Sequence, residues 1–82
     1  IDPSFVVDIA GSVEKYQIKG VIYFGNSHFI MRVWKGMEDV WTYDGMRHNG
    51  DFRYEGKSSK IRGLRRLGSK VAVAALYIKS VE

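Results

Sequence analysis

Two histidines and nine carboxylates are the groups in this 82-residue chain best placed to move protons near neutral pH, and there is no cysteine. The most suggestive pair is His28 and Asp44, which lie on either side of Lys35-Gly36-Met37. If those three residues form a hairpin loop, opposed residues have numbers summing to 72. Trp34 then faces Glu38, Arg32 faces Val40, Ile30 faces Thr42 and His28 faces Asp44. Directly opposed side chains share a face, with Cβ atoms about 4.5–5.5 Å apart. A loop two residues longer leaves Asp44 diagonal to His28 and still within reach, whereas a slip of one residue sends the two side chains to opposite faces.

A carboxylate bonded to one imidazole nitrogen fixes the tautomer, orients the ring and raises its basicity. The other nitrogen is then left to activate a nucleophile. The competing reading is a surface cross-strand pair worth a few tenths of a kcal/mol, and spacing alone favours it. A metal site from His28, Asp44 and His48 suits zinc or iron by donor type. It suffers because His48 lies four residues beyond Asp44, more than about 10 Å along an extended strand. No metal and no cofactor is therefore expected, and no Walker-type loop or dinucleotide fingerprint is present.

Strands must position these groups. Tyr16 to Phe24 alternates at the strand period, and Gly25-Asn26-Ser27 reads as a turn. His28 to Trp34 is apolar on both faces and reads as a central strand. Asp39 to Tyr43 follows and runs on towards His48. Asn49-Gly50 is a strong hairpin signal leading to a short strand from Asp51 to Glu55. Ile61, Leu64 and Leu67 recur every three residues, enough for one helical turn. Val71 to Ile78 is apolar on both faces, as in mid-sheet. Phe5 to Ile9 adds an edge strand. The expected fold is mainly β: a small antiparallel sheet or partly open barrel of about five strands, with little helix.

Length permits one domain, here residues 5–82 with a basic loop over 56–70, and residues 1–4 read as a remnant of processing or expression. Aromatic and β-branched residues must supply a slight core, since so short a chain buries only about 60–65% of its unfolded surface. No apolar run has the roughly 18–20 residues of a bilayer span, so no membrane partner is expected. The net charge of +4 is concentrated in Arg53, Lys57, Lys60, Arg62, Arg65, Arg66 and Lys70, with Glu55 the single acid among them. Such a patch suits an anionic surface, nucleic acid included, or is simply a solvated loop.

Several segments carry a resemblance. They are Gly20-Val21-Ile22-Tyr23, Ser27-His28-Phe29-Ile30-Met31-Arg32-Val33, Val40-Trp41-Thr42-Tyr43-Asp44-Gly45 and Ala75-Leu76-Tyr77-Ile78-Lys79. Over Lys15 to Lys79 they resemble the C-terminal, His-box portion of the ubiquitin-specific-protease type of papain-like cysteine protease. There a turn leads to a His–aromatic pair, an aromatic-rich strand ends in the acid that orients the His, and a late A-x-x-L-x-Y strand closes the subdomain. The resemblance implies that His28 is the catalytic base and Asp44 its orienter, with Phe29 where the family usually has Tyr. Ser27 replaces the usual Gly, and Gly45 replaces a second acid. The family's nucleophilic Cys and oxyanion-hole amide lie in a half that this chain does not contain.

Without a nucleophile no acyl-enzyme can form. Ser27 cannot substitute, since neighbouring strand residues point to opposite faces. The expectation is thus the His/Asp-bearing half of a protease fold, not catalytic as this chain alone, serving as a binding or assembly piece. Its partners would be a ubiquitin-like protein or a complementary protease half. The alternative is a small basic β-barrel module that binds nucleic acid through Lys57, Lys60, Arg62, Arg65, Arg66 and Lys70, with Tyr or Trp as stacking platforms. A third reading is pairing, self-association included, through an exposed sheet edge. Either way the place implied is intracellular, cytoplasmic or nuclear.

Overall fold

The computed structural model describes residues 1–45 and 50–80. Seven strands form among them: β1 (Ser4–Ile9), β2 (Ser12–Gly25), β3 (His28–Lys35), β4 (Asp39–Tyr43), β5 (Phe52–Lys57), β6 (Arg66–Leu67) and β7 (Lys70–Lys79), with a 3-10 turn at Ser58–Lys60. They make a single antiparallel sheet in the order β5-β4-β3-β2-β7-β6, with β1 paired to β2 beyond the end of β3. The sheet curls into a half-barrel. The mainly β, partly open barrel expected from the sequence is therefore what forms, with seven strands instead of about five. No helix among the described residues is long and apolar enough to cross a membrane.

Local chemistry explains the joints. Gly25 pairs with His28 across a two-residue turn in which Asn26 and Ser27 both have positive φ, 52° and 63°. That is the type I′ pattern, whose twist matches the strands it joins. Ser27 thus sits in the turn, not in the strand. Beyond Lys35, the chain reverses through Gly36-Met37-Glu38, and Gly36 takes φ 71°. Paired residues here sum to 74, so Trp34 faces Val40 and Arg32 faces Thr42. This corrects the expected register by two residues. Trp34 and Val40 are both fully buried, and the 72-sum register would set the carboxylate of Glu38 beside the indole, a desolvation cost without a partner. A two-residue shift preserves the faces, so His28 and Asp44 remain on one side, diagonal to each other.

The inner face holds the core. Ile18, Val21 and Tyr23 from β2 meet Trp34, Val40 and Leu64, with Ile61, Leu67, Ala72 and Tyr77 packed around them. A register shift against β7 makes Lys19 an extra residue on β2, which lets Ile18 share a face with Val21 and Tyr23. Ile61, Leu64 and Leu67 form no helical turn. They belong to a strap that runs from the 3-10 turn through irregular backbone to β6, and their apolar side chains cap the open side of the half-barrel. β7 is also not mid-sheet over most of its length. β6 pairs only with Lys70 and Val71, leaving Val73, Leu76 and Ile78 exposed. The N-terminal segment is tied in as well, since the carbonyls of Asp2 and Pro3 accept hydrogen bonds from Tyr77 Oη and Ile18 N.

A buried charge borders this core. Arg32, 5% exposed, donates from Nε and Nη2 to the two oxygens of Glu55 at 2.8 and 2.6 Å. It also donates to Tyr23 Oη at 3.0 Å and to the carbonyl of Gly63 at 3.3 Å. Tyr23 Oη passes a hydrogen bond on to the carbonyl of Leu64 at 2.6 Å. A register shift between Val40–Gly56 and Trp41–Tyr54 makes Glu55 an extra residue on β5, and a bulge of this kind re-aims a side chain. Burial works against the Arg32 cation, but the bonds to Glu55 and Tyr23 outweigh it and the guanidinium pKa rises.

Tyr23 is pushed above its ordinary pKa by burial, against the pull of Arg32. The unfolded chain therefore loses the phenol proton first. Its contribution to stability is complete below about pH 10 and is lost as pH rises through the higher folded value. Thermal unfolding followed from about pH 9 to 11 should show a falling midpoint, and Tyr23→Phe should make that fall shallower. An unchanged slope in the variant would place the alkaline loss elsewhere.

Candidate functional site

His28 opens β3 directly after the type I′ turn, and Asp44 follows the last residue of β4. The curl of the sheet and the shared parity bring them together on the inner face. His28 Nε2 lies 3.3 Å from Asp44 Oδ2, with the side chains 20% and 10% exposed. The pairing that strand parity suggests is therefore present in geometry, at the ends of two interior strands.

A third residue completes the cluster. Lys70, at the start of β7, is 5% exposed, and its Nζ lies 3.3 Å from His28 Nδ1 while donating to the carbonyl of Gly25. Gly25 is needed for this approach: a Cβ there would stand 3.1 Å from both Cα and Cγ of Lys70 and 3.3 Å from the Ser69 carbonyl. Asn26 Nδ2 fastens the same turn to Ser69 Oγ at 2.9 Å. An ammonium has donors only. That assigns Nδ1 as the acceptor and places the ring proton on Nε2, facing the carboxylate. Both ring nitrogens are engaged, so the imidazole can take a proton from a nucleophile only after Lys70 moves away. As it stands, the cluster ties the start of β3 to the end of β4 and the start of β7.

The six basic residues singled out from the sequence separate into two groups. Lys57 is bound to Asp39 at 2.8 Å, beside Tyr54 Oη at 2.9 Å on the same oxygen. Those two partners hold the Asp39 carboxyl below its ordinary pKa. Lys70 is consumed by the His28 cluster. Lys60, Arg62, Arg65 and Arg66 are exposed and form no ion pair among the described residues.

His48 and Asn49 lie outside the described residues, and with them the third metal ligand and half of the Asn49-Gly50 turn. Among the described residues no three His, Asp or Glu side chains are grouped to hold a metal. Sequence reading missed two features. Lys70 is 42 residues from His28 and carries no local signal. The Arg32–Glu55 pair did leave one: a lone cation in an apolar strand and a lone acid in a basic run.

No family model matches the chain, and no curated protein or solved structure is significantly similar to it.

Removing Lys70 tests the reading of the cluster. A hydrogen bond of this kind is worth about 1 kcal/mol net, so Lys70→Met should speed carbethoxylation of His28 by diethyl pyrocarbonate roughly five- to tenfold. His48→Gln in the background leaves a single reporter. Equal rates with and without Lys70 would mean that Nδ1 is already accessible.

Proposed function

We propose that this chain is the His/Asp-bearing half of a ubiquitin-specific-protease-like fold, serving as a binding or assembly module and not as a hydrolase on its own. The observation that carries this reading is the 3.3 Å contact between His28 Nε2 and Asp44 Oδ2, set between the strands on which the resemblance places base and orienter. Two facts limit it to binding. The chain has no cysteine, and Lys70 occupies the nitrogen that a nucleophile would need.

Ubiquitin is the probe. Titrated into the isotope-labelled chain, it should shift amide signals around His28, Phe29 and Gly45, with no release of dye from a ubiquitin C-terminal fluorogenic conjugate. Absence of any shift at about 1 mM ubiquitin, weaker than about 4 kcal/mol of binding, would overturn the reading. So would hydrolysis by the chain alone that survives His28→Gln.

A second reading keeps one supporting observation, the four exposed cations Lys60, Arg62, Arg65 and Arg66, which form no ion pair among the described residues. If all four meet phosphates of duplex DNA, the affinity should fall with salt at a log–log slope of about −3.6. No binding to DNA or RNA at about 50 mM salt would remove this reading.

A further inference from the structure

The sheet is apolar on both faces, and among the described residues the inner one alone is covered. On the outer face Ile22, Phe24, Phe29, Phe52 and Leu76 are between 40% and 61% exposed. Their neighbours are ordered by ring contacts, Phe24 on Phe29 at 4.5 Å and Tyr43 on Phe52 at 5.0 Å between centroids. Large apolar side chains exposed together on one face mark an interaction site.

The face has relief. Gly20 and Ala74 form the floor of a trough of about 430 Å³, walled by Ile22, Met31, Val33 and Leu76. A second hollow of about 320 Å³ continues it between Lys19, Lys35, Trp41 and Phe52, and a third of about 300 Å³ lies beside Phe29 and Tyr43. Five strands at about 4.8 Å spacing give a width near 19 Å, room for helices of about 10 Å diameter to lie across it.

Charge and one orphan donor narrow the occupant. No Asp or Glu lines any of the three hollows. Lys19 borders two of them and Lys35 one, and neither forms an ion pair among the described residues. Asp39, opposite Lys35 in register, is already bound to Lys57 and Tyr54. Trp41, which lines the second hollow, has a buried indole N–H with no acceptor among the described residues. A buried donor without a partner is rare and costly. A second copy of this chain would bring its own lysines against these, so like charge disfavours it.

We propose that the outer face docks an amphipathic α-helix of a protein partner. Its apolar stripe fills the trough, and a carboxylate on its rim reaches the hollow where Lys19, Lys35 and Trp41 meet. The docking face lies across the sheet from His28, so it can hold its partner whether or not the histidine engages anything.

The test uses two labelled peptides of about eighteen residues with the same leucine stripe, one rimmed by Glu and one by Lys, at about 50 mM salt. Anisotropy should show the Glu-rimmed peptide binding about tenfold or more tightly than the Lys-rimmed one. The Trp41 indole N–H signal should move. Lys19→Glu with Lys35→Glu should reverse the preference, and Leu76→Asp should remove binding of both peptides. These are exposed or half-exposed positions, and unchanged circular dichroism would confirm that each variant folds. Equal binding of the two peptides, binding that survives Leu76→Asp, or no binding would overturn the proposal. A stable dimer dissociated by Leu76→Asp would overturn it in favour of a second copy.

Discussion

Replacing Arg32 by Met should lower the unfolding free energy by about 3 kcal/mol, the low end of what breaking a buried ion pair costs. The guanidinium is almost wholly buried, and its loss strands a carboxylate bound to it by two hydrogen bonds. Glu55 keeps 23% of its side-chain surface in water, which relieves part of that cost and argues for the lower figure. The pair is a poor stabiliser compared with apolar residues of the same shape, so Arg32→Met combined with Glu55→Leu should recover much of the loss. Urea unfolding of the two single variants and the double variant gives the coupling directly. If the double variant loses the sum of the singles, the two charges do not depend on each other and this description of the core fails.

The second large effect belongs to Trp34. It is 1% exposed, packs in the cluster with Val40 and Leu64, and donates from its indole to Ser58 Oγ at 3.0 Å. Trp34→Ala should cost about 3–5 kcal/mol through lost contact and the cavity left behind. An 82-residue domain has roughly 4–12 kcal/mol in all, so this one substitution takes a large part of the total. The denaturation midpoint should fall steeply with little change in slope. A loss below about 1 kcal/mol would mean that the strap carrying Leu64 collapses inward to refill the space.

Much of the sheet could be read from the residues. Period-two alternation gave β2, the Asn26-Ser27 turn gave the β2–β3 hairpin, and the parity of β3 and β4 gave the contact between His28 and Asp44. What escaped has physical causes. Loop length around Gly36 was free to vary by two, and burial of Trp34 against Val40, a tertiary preference, fixed it. The extra residues at Lys19 and Glu55 break alternation at the points where side chains must be re-aimed. β7 looks central because both its faces are apolar, yet one face covers the core and the other stays open. The spacing of Ile61, Leu64 and Leu67 mimics a helix, but in a strap it only needs to point three side chains down. Lys70 reaches His28 through a strand pairing of long sequence separation, which no local pattern encodes.

The long central strand sets an order of assembly. β2 shares one edge with β1 and β3, both joined to it by two-residue turns. Its other edge is filled by β7, which begins 45 residues after Gly25. Local hairpins close in microseconds, whereas a pairing across so long a loop waits on chain entropy. The β1–β4 meander should therefore form early and β7 arrive last, bringing Lys70 with it. Until that strand zips, the imidazole of His28 keeps Nδ1 open. The histidine thus acts as a clock for the final step of folding, readable by the rate at which its reactivity is quenched.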